Sequence, residues 1–109
     1  TVLTQKPPVV SLSTGETVTM DCNLGTVNEY PASWYKQVPG GVPQYVLSWR
    51  DTWSSGFSSP KFTSTHQSKS DYRLTISNVE EGDSAVYYCA TWDYSANEFG
   101  PGTKLIVTS

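Results

Sequence analysis

Metal-ligand and redox chemistry is scarce in this chain, which has two cysteines, one histidine and one methionine in 109 residues. Two distant cysteines can be free thiols, a bridge or half of a metal site. With His66 as the lone histidine, Cys22 and Cys89 fall short of the ligand set of a structural zinc site. The bridge is the preferred reading, and it implies an oxidising compartment. Positive charge is also short: Lys and Arg number 7 against 10 Asp and Glu, for a net charge of −3. That balance argues against nucleic acid, which selects a basic footprint. No apolar run approaches the roughly 18 residues of a spanning helix, so membrane insertion is not expected. None of Asn23, Asn28, Asn78 and Asn97 begins an Asn-x-Ser/Thr acceptor, so N-glycosylation is not expected either.

Catalytic and cofactor signatures are missing as well. His66 sits in a polar stretch with no motif placing a nucleophile beside it. Glu80, Glu81 and Asp83 lack the spacing of a calcium loop. Gly100-Pro101-Gly102 is followed by neither a helix nor Lys-Ser/Thr, so it is no phosphate loop. No enzyme activity, cofactor or metal is expected. There is no internal repeat and no low-complexity tract. Thr1 opens the chain without a basic-then-apolar leader, so a mature or trimmed piece is expected rather than a precursor. The length suits one domain, 1–109, with one core. Aromatics make up 13% of a chain that is only 37% hydrophobic, so that core must rely on a few large rings.

What is present reads as strands. Thr17–Cys22 alternates, with Val18, Met20 and Cys22 on one side and Thr17, Thr19 and Asp21 on the other. Ala32–Gln37, Gln44–Trp49, Lys61–Thr65, Tyr72–Ile76 and Lys104–Thr108 read as further strands. Phe62, Leu74, Ile76, Leu105 and Val107 are their core candidates. Val2–Gln5 and Val9–Leu12 are halves of one strand interrupted at Pro7-Pro8, because proline has no N–H for a ladder. Asn78–Asp83 reads as a short helical turn. Asn23–Pro31, polar with Gly25 and Pro31, and Ala90–Glu98 read as loops, and Arg50–Pro60, with no clear period, as a loop region holding a short irregular edge strand. The stretch Asp83–Cys89 organises the chain: Ala85, Tyr87 and Cys89 share one face, and Val86 and Tyr88 the other.

Cys22, Trp34 within Ala32-Ser33-Trp34-Tyr35, Tyr87-x-Cys89 and Phe99-Gly100-Pro101-Gly102-Thr103 follow one another in the order and spacing of an antibody-type variable domain. The chain resembles that family over essentially its whole length. The opening Val2-Leu3-Thr4-Gln5 before Pro7-Pro8, the Trp34-Tyr35-x-Gln37 run and the joining-type segment most resemble a lambda-like light chain. Lys6, Lys36, Val38, Lys61 and a long second loop depart from it. The resemblance implies an all-β, two-sheet antiparallel immunoglobulin variable-type sandwich of Greek-key topology. Its one inter-sheet disulfide would join Cys22 to Cys89, beside the core residues Trp34, Tyr87 and Leu74. The hairpin ending in Gln44–Trp49 belongs to variable-type rather than constant-type domains.

The function implied is recognition without catalysis: antigen binding as the light-chain half of an antibody variable module, paired with a heavy-chain variable domain. A T-cell receptor variable domain, or a variable-type adhesion or co-receptor domain, are the alternatives. The adhesion reading leaves the joining-type segment unexplained. Three loops would meet the unknown antigen, through Asn28, Glu29 and Tyr30, then Trp49, Arg50, Asp51 and Trp53, then Trp92, Asp93, Tyr94, Ser95 and Asn97. Rings and small amides of this kind combine rigid contact area with adaptable polar tips. The partner-domain face would hold Tyr35, Gln37 and Tyr88, which alternate with the inward Trp34, Tyr87 and Cys89. Pro43, Tyr45 and Phe99 would join them, and the isolated domain is expected to form a homodimer through the same patch. Lys61 and Asp83 match the family's structural ion pair, with Lys where Arg is usual and so without the planar two-bond fork. Secretion or display on the extracellular face follows, with any constant region left off beyond the joining-type strand.

Overall fold

The computed structural model describes residues 3–25, 32–48, 61–68, 70–93 and 96–109. Among these, strands β1 (Thr4–Lys6), β3 (Val18–Asn23), β7 (Asp71–Ile76) and β6 (Phe62–His66) form one sheet in the order β1-β3-β7-β6. The other sheet runs β2-β10-β8-β4-β5, from β2 (Val9–Ser13), β10 (Thr103–Thr108), β8 (Ala85–Asp93), β4 (Ser33–Gln37) and β5 (Gln44–Ser48). A further strand, β9 (Ala96–Phe99), pairs with β8. The fold is the all-β two-sheet sandwich, and the Pro7-Pro8 break sends the two halves of the first strand to different sheets. One ladder departs from the antiparallel expectation, since β2 runs parallel to β10 with Val9 opposite Lys104 and Ser13 opposite Thr108.

Alternation decides which side chains meet between the sheets. On β3, Val18, Met20 and Cys22 are buried, and on β7 so are Tyr72, Leu74 and Ile76. Trp34 and Tyr87 face them from the other sheet and are fully buried. At ~25 cal/mol per Å² over the ~150–250 Å² of a large ring, each such burial contributes about 4–6 kcal/mol before ordering entropy is set against it. On β5 the adjacent Val46 and Leu47 are both buried, which strict alternation forbids. The reason is a bulge: β4–β5 pairing steps from Trp34 opposite Leu47 to Tyr35 opposite Tyr45, which leaves Val46 extra.

The Cys22–Cys89 disulfide joins the sheets across a sequence separation of 67. Closing so long a loop stabilises the fold by roughly 2–4 kcal/mol through the unfolded chain. Trp34 lies opposite Cys89 in the β4–β8 ladder. Its indole N–H donates to Ser64 Oγ at 3.2 Å, a buried bond between the two sheets. Thr103, by contrast, is wholly buried and its hydroxyl finds no partner.

Two readings of loops change. The stretch after Cys89 was expected to be a loop from Ala90, but β8 continues to Asp93 and pairs with β9, Trp92 standing opposite Asn97. Thr, Trp and Phe in this stretch suit an extended ladder, and pairing satisfies backbone groups that an open loop would leave to water. The helical turn is shorter than read, a single 3₁₀ turn over Glu81–Asp83.

These two buried polar groups give opposite expectations. Ser64→Ala strands the indole N–H and should lower stability by about 1–3 kcal/mol in urea unfolding. Thr103→Val removes an unpaired hydroxyl at nearly constant shape and should be neutral or stabilising. A silent Ser64→Ala would mean that the Trp34 bond contributes little.

Candidate functional site

The outer surface of the β2-β10-β8-β4-β5 sheet carries a cluster of rings. Tyr35 stands opposite Tyr88 on one side and Tyr45 on the other. The Tyr35 ring meets Tyr45 with centroids 5.5 Å apart and Phe99 at 5.1 Å, both edge to face. Tyr88 completes the group, its ring 6.4 Å from Phe99 and nearly perpendicular to it. Such edge-to-face pairs add to the stabilisation that burial alone provides. All three tyrosines are half-buried, while Phe99 is 44% exposed, a large apolar ring left at the surface.

Gln37 lies on the same strand face as Tyr35, and its Nε2 donates to the Gly41 carbonyl at 3.0 Å. That bond holds the β4–β5 turn, where Val42 is 75% exposed and Pro43 is exposed beside it. Tyr35, Gln37, Pro43, Tyr45, Tyr88 and Phe99 therefore share one side of one sheet and its adjoining turn. Of the loop residues read from the sequence, Asn28, Glu29, Tyr30, Trp49, Arg50, Asp51, Trp53, Tyr94 and Ser95 lie outside the described residues. Trp92, Asp93 and Asn97 are placed by backbone alone, on the β8–β9 hairpin.

Two residues whose contacts the sequence did not reveal set the position of the rings. Gln5 reaches from β1 across the sandwich edge: its Nε2 donates to the Tyr87 carbonyl at 2.9 Å, and its Oε1 accepts from Cys89 N–H at 3.2 Å and Gly102 N–H at 3.0 Å. Three backbone groups of β8 and of the segment between β9 and β10 are thus satisfied by one side chain. Gly102 has φ +95°, the left-handed region that favours glycine. A Cβ there would stand 2.7 Å from Val86 Cγ1 and 2.9 Å from Tyr88 Cε1. A glycine in the joining-type segment was visible in the sequence, but its contact with Tyr88 was not.

Below the ring face lies a polar corner. Lys61 Nζ is 2.9 Å from Asp83 Oδ2 and 3.6 Å from Glu80 Oε2. The Asp83 carboxylate also accepts from Glu80 N–H at 2.8 Å, so the buried charge is both paired and hydrogen-bonded. Tyr87 hydroxyl donates to the Asp83 carbonyl at 2.7 Å, tying β8 to the 3₁₀ turn before it. Burial, helped by the Asp83 charge, pushes the Tyr87 phenol well above the usual tyrosine range, so it stays a donor. Lys36 joins this corner, its Nζ donating to the Gly82 carbonyl at 2.9 Å.

The other sheet's outer face offers a contrast. A groove there is lined by Lys6, Asp21, Asn23, Asp71 and Arg73. Within it Arg73 Nε donates to Asp21 at 2.8 Å, and the neutral Asn23 amide Nδ2 donates to Asp71 at 2.6 Å. Among the described residues no three His, Cys, Asp or Glu side chains converge as a metal site would need.

Residues 5–108 match the Immunoglobulin V-set domain family. The chain is 39% identical over 105 residues to "Ig kappa chain V region K-25" of Oryctolagus cuniculus, covering 96% of this chain and 95% of that one. It is 36% identical over 108 residues to "Ig kappa chain V region 2717" of the same organism, covering 97% and 96%. Both relatives are kappa regions, so they do not support the lambda-like assignment. Two of the residues behind that assignment, Gln5 and Gly102, serve the architecture itself.

Gly102→Ala combines backbone strain with a push on the Tyr88 ring. It should cost about 1–3 kcal/mol in urea unfolding and move the Tyr88 ring resonances in NMR spectra. Unmoved Tyr88 resonances would mean that Gly102 does not position the ring.

Proposed function

The chain belongs to the immunoglobulin V-set family, and we propose that it serves as the light-chain half of an antibody variable module, recognising antigen without catalysis while paired with a heavy-chain variable domain. The outward ring cluster with Phe99 at its surface is the observation that carries this reading. A solvated sheet face reads otherwise, as the Thr19 and Asp21 side of β3 does. A contiguous apolar cluster on an outward sheet face supports a partner site there. The 36% and 39% identity to kappa-chain V regions over nearly their full length favours an antibody chain over a T-cell receptor or adhesion domain.

In this reading Tyr35, Tyr45, Tyr88, Phe99 and Pro43 form the contact with the partner domain. Gln37 is the central amide, with capacity left after its bond to Gly41 for a matching amide across a pseudo-two-fold axis. Antigen contact falls to the three loops, with Tyr30, Trp53, Trp92 and Tyr94 as aromatic anchors. Secretion or display on the cell surface goes with the disulfide. No helix among the described residues is long and apolar enough to cross a membrane.

Without a heavy-chain partner, the same face should bring two copies of the domain together, because it is nearly self-complementary. Sedimentation equilibrium of the isolated domain should show a dimer that Tyr88→Asp abolishes. A dimer indifferent to Tyr88→Asp would place the contact elsewhere. Alanine at Tyr30, Trp53, Trp92 or Tyr94 should weaken antigen binding by the paired molecule while leaving the urea midpoint nearly unchanged. Four neutral substitutions would move the binding face away from the loops.

A further inference from the structure

Lys36 stands on β4 between Tyr35 and Gln37, two members of the outward face. By alternation it points the other way, to the side where Trp34 is buried. Its amine donates at 2.9 Å to the carbonyl of Gly82, 46 positions away. Gly82 lies in the 3₁₀ turn after which β8 begins. In the β4–β8 ladder Lys36 is opposite Tyr87 and Gln37 is opposite Val86. One amine therefore fastens the end of β4 to the turn that launches β8, and these two strands carry Tyr35, Gln37, Val86 and Tyr88.

Burial sets a cost against this fastening. Burial pushes the Lys36 amine below the ordinary lysine range, and the Lys61 ammonium adds to that push, while the Asp83 carboxylate opposes it. A lysine with a lowered folded-state pKa holds its charge at a cost at neutral pH, a cost that fades as pH rises through that folded-state value. Gly82 is exposed, so its carbonyl would be solvated if the amine were removed.

We propose that Lys36 is a positioning residue for the pairing face: its bond to Gly82 sets β4 against the start of β8, and so fixes where Gln37 and Tyr35 stand relative to Tyr88. This rests on the pairing function proposed above. The partner addressed is a second variable-type domain, here a second copy of this chain.

The test compares the wild-type domain with Lys36→Met, which loses the donor, and Lys36→Arg, which keeps one. NMR of dilute monomer reads the Gln37 side-chain amide and the Tyr35 and Tyr88 rings, while sedimentation equilibrium reads association and urea unfolding reads stability. Lys36→Met should shift those resonances and weaken association roughly fivefold, the low end of couplings between linked sites. Its urea midpoint should be unchanged or raised, and Lys36→Arg should restore both resonances and association. Unmoved resonances in Lys36→Met overturn the proposal whether or not the domain associates. So does a Lys36→Met variant that fails to fold or loses stability in step with association, since a merely structural lysine would behave that way. A monomeric wild type whose resonances still shift in Lys36→Met would refute self-association through this face and uphold the role of Lys36.

Discussion

A β-strand can turn only every second residue toward a core, and β4 and β8 meet that restriction at the centre of the molecule. Trp34, Tyr87 and Cys89 are drawn between the sheets and are fully buried there. Their neighbours Tyr35, Gln37, Val86 and Tyr88 then have no choice of side. The bond from Cys89 to Cys22 removes the freedom to slip, because a one-residue change of register would carry every one of these side chains to the opposite face. The outward rings are in this sense a product of the core. The same alternation that hides a tryptophan presents two tyrosines.

Single polar side chains complete what the ladders leave open. Gln5 satisfies groups 82, 84 and 97 positions away, and so joins the first strand to β8 and to the segment between β9 and β10. Asp83 gathers Lys61 and the Glu80 N–H at its carboxylate and the Tyr87 hydroxyl at its carbonyl. The ion pair here is half shielded, with the Lys61 side chain 29% exposed and that of Asp83 only 8% exposed. Removing either partner from such a pair costs more than forming the pair contributes, because the charge left behind has lost its water. The polar corner thus acts less as a source of stability than as a demand for one arrangement.

Much of the fold was legible in the sequence because it follows from periodicity. Val18, Met20 and Cys22 on β3 announced their strand, and Pro7-Pro8 announced the break in the first one. The bulge on β5 was not legible, since Val46 and Leu47 are both apolar and the sequence shows no sign of the extra residue. Nor was the β8–β9 hairpin, because residues rich in Tyr, Ser and Asn look alike in a binding loop and in the end of a ladder. At the site, Tyr35, Gln37 and Tyr88 could be placed on one face by parity alone, and Phe99 could be brought there only through the fold. The bonds that Gln5 and Lys36 make to distant backbone escaped for one reason. Their partners are backbone carbonyls and amides far away in sequence, and a backbone group has no letter of its own to be read.

The split first strand has a mechanical consequence. Because β2 and β10 run parallel, forces drawing β2 from its Val9 end and β10 from its Thr108 end act along the strands in opposite senses. The hydrogen bonds between them are then loaded together, in shear, rather than opened one after another as in a hairpin. β1 is placed differently: it lies antiparallel on β3 at the edge of the other sheet. If the shear clamp failed, the Cys22–Cys89 bond would still bar the chain between those residues from stretching to full length. A domain so built would lengthen under tension only by what lies outside the bridge, and its core would stay tied across the two sheets.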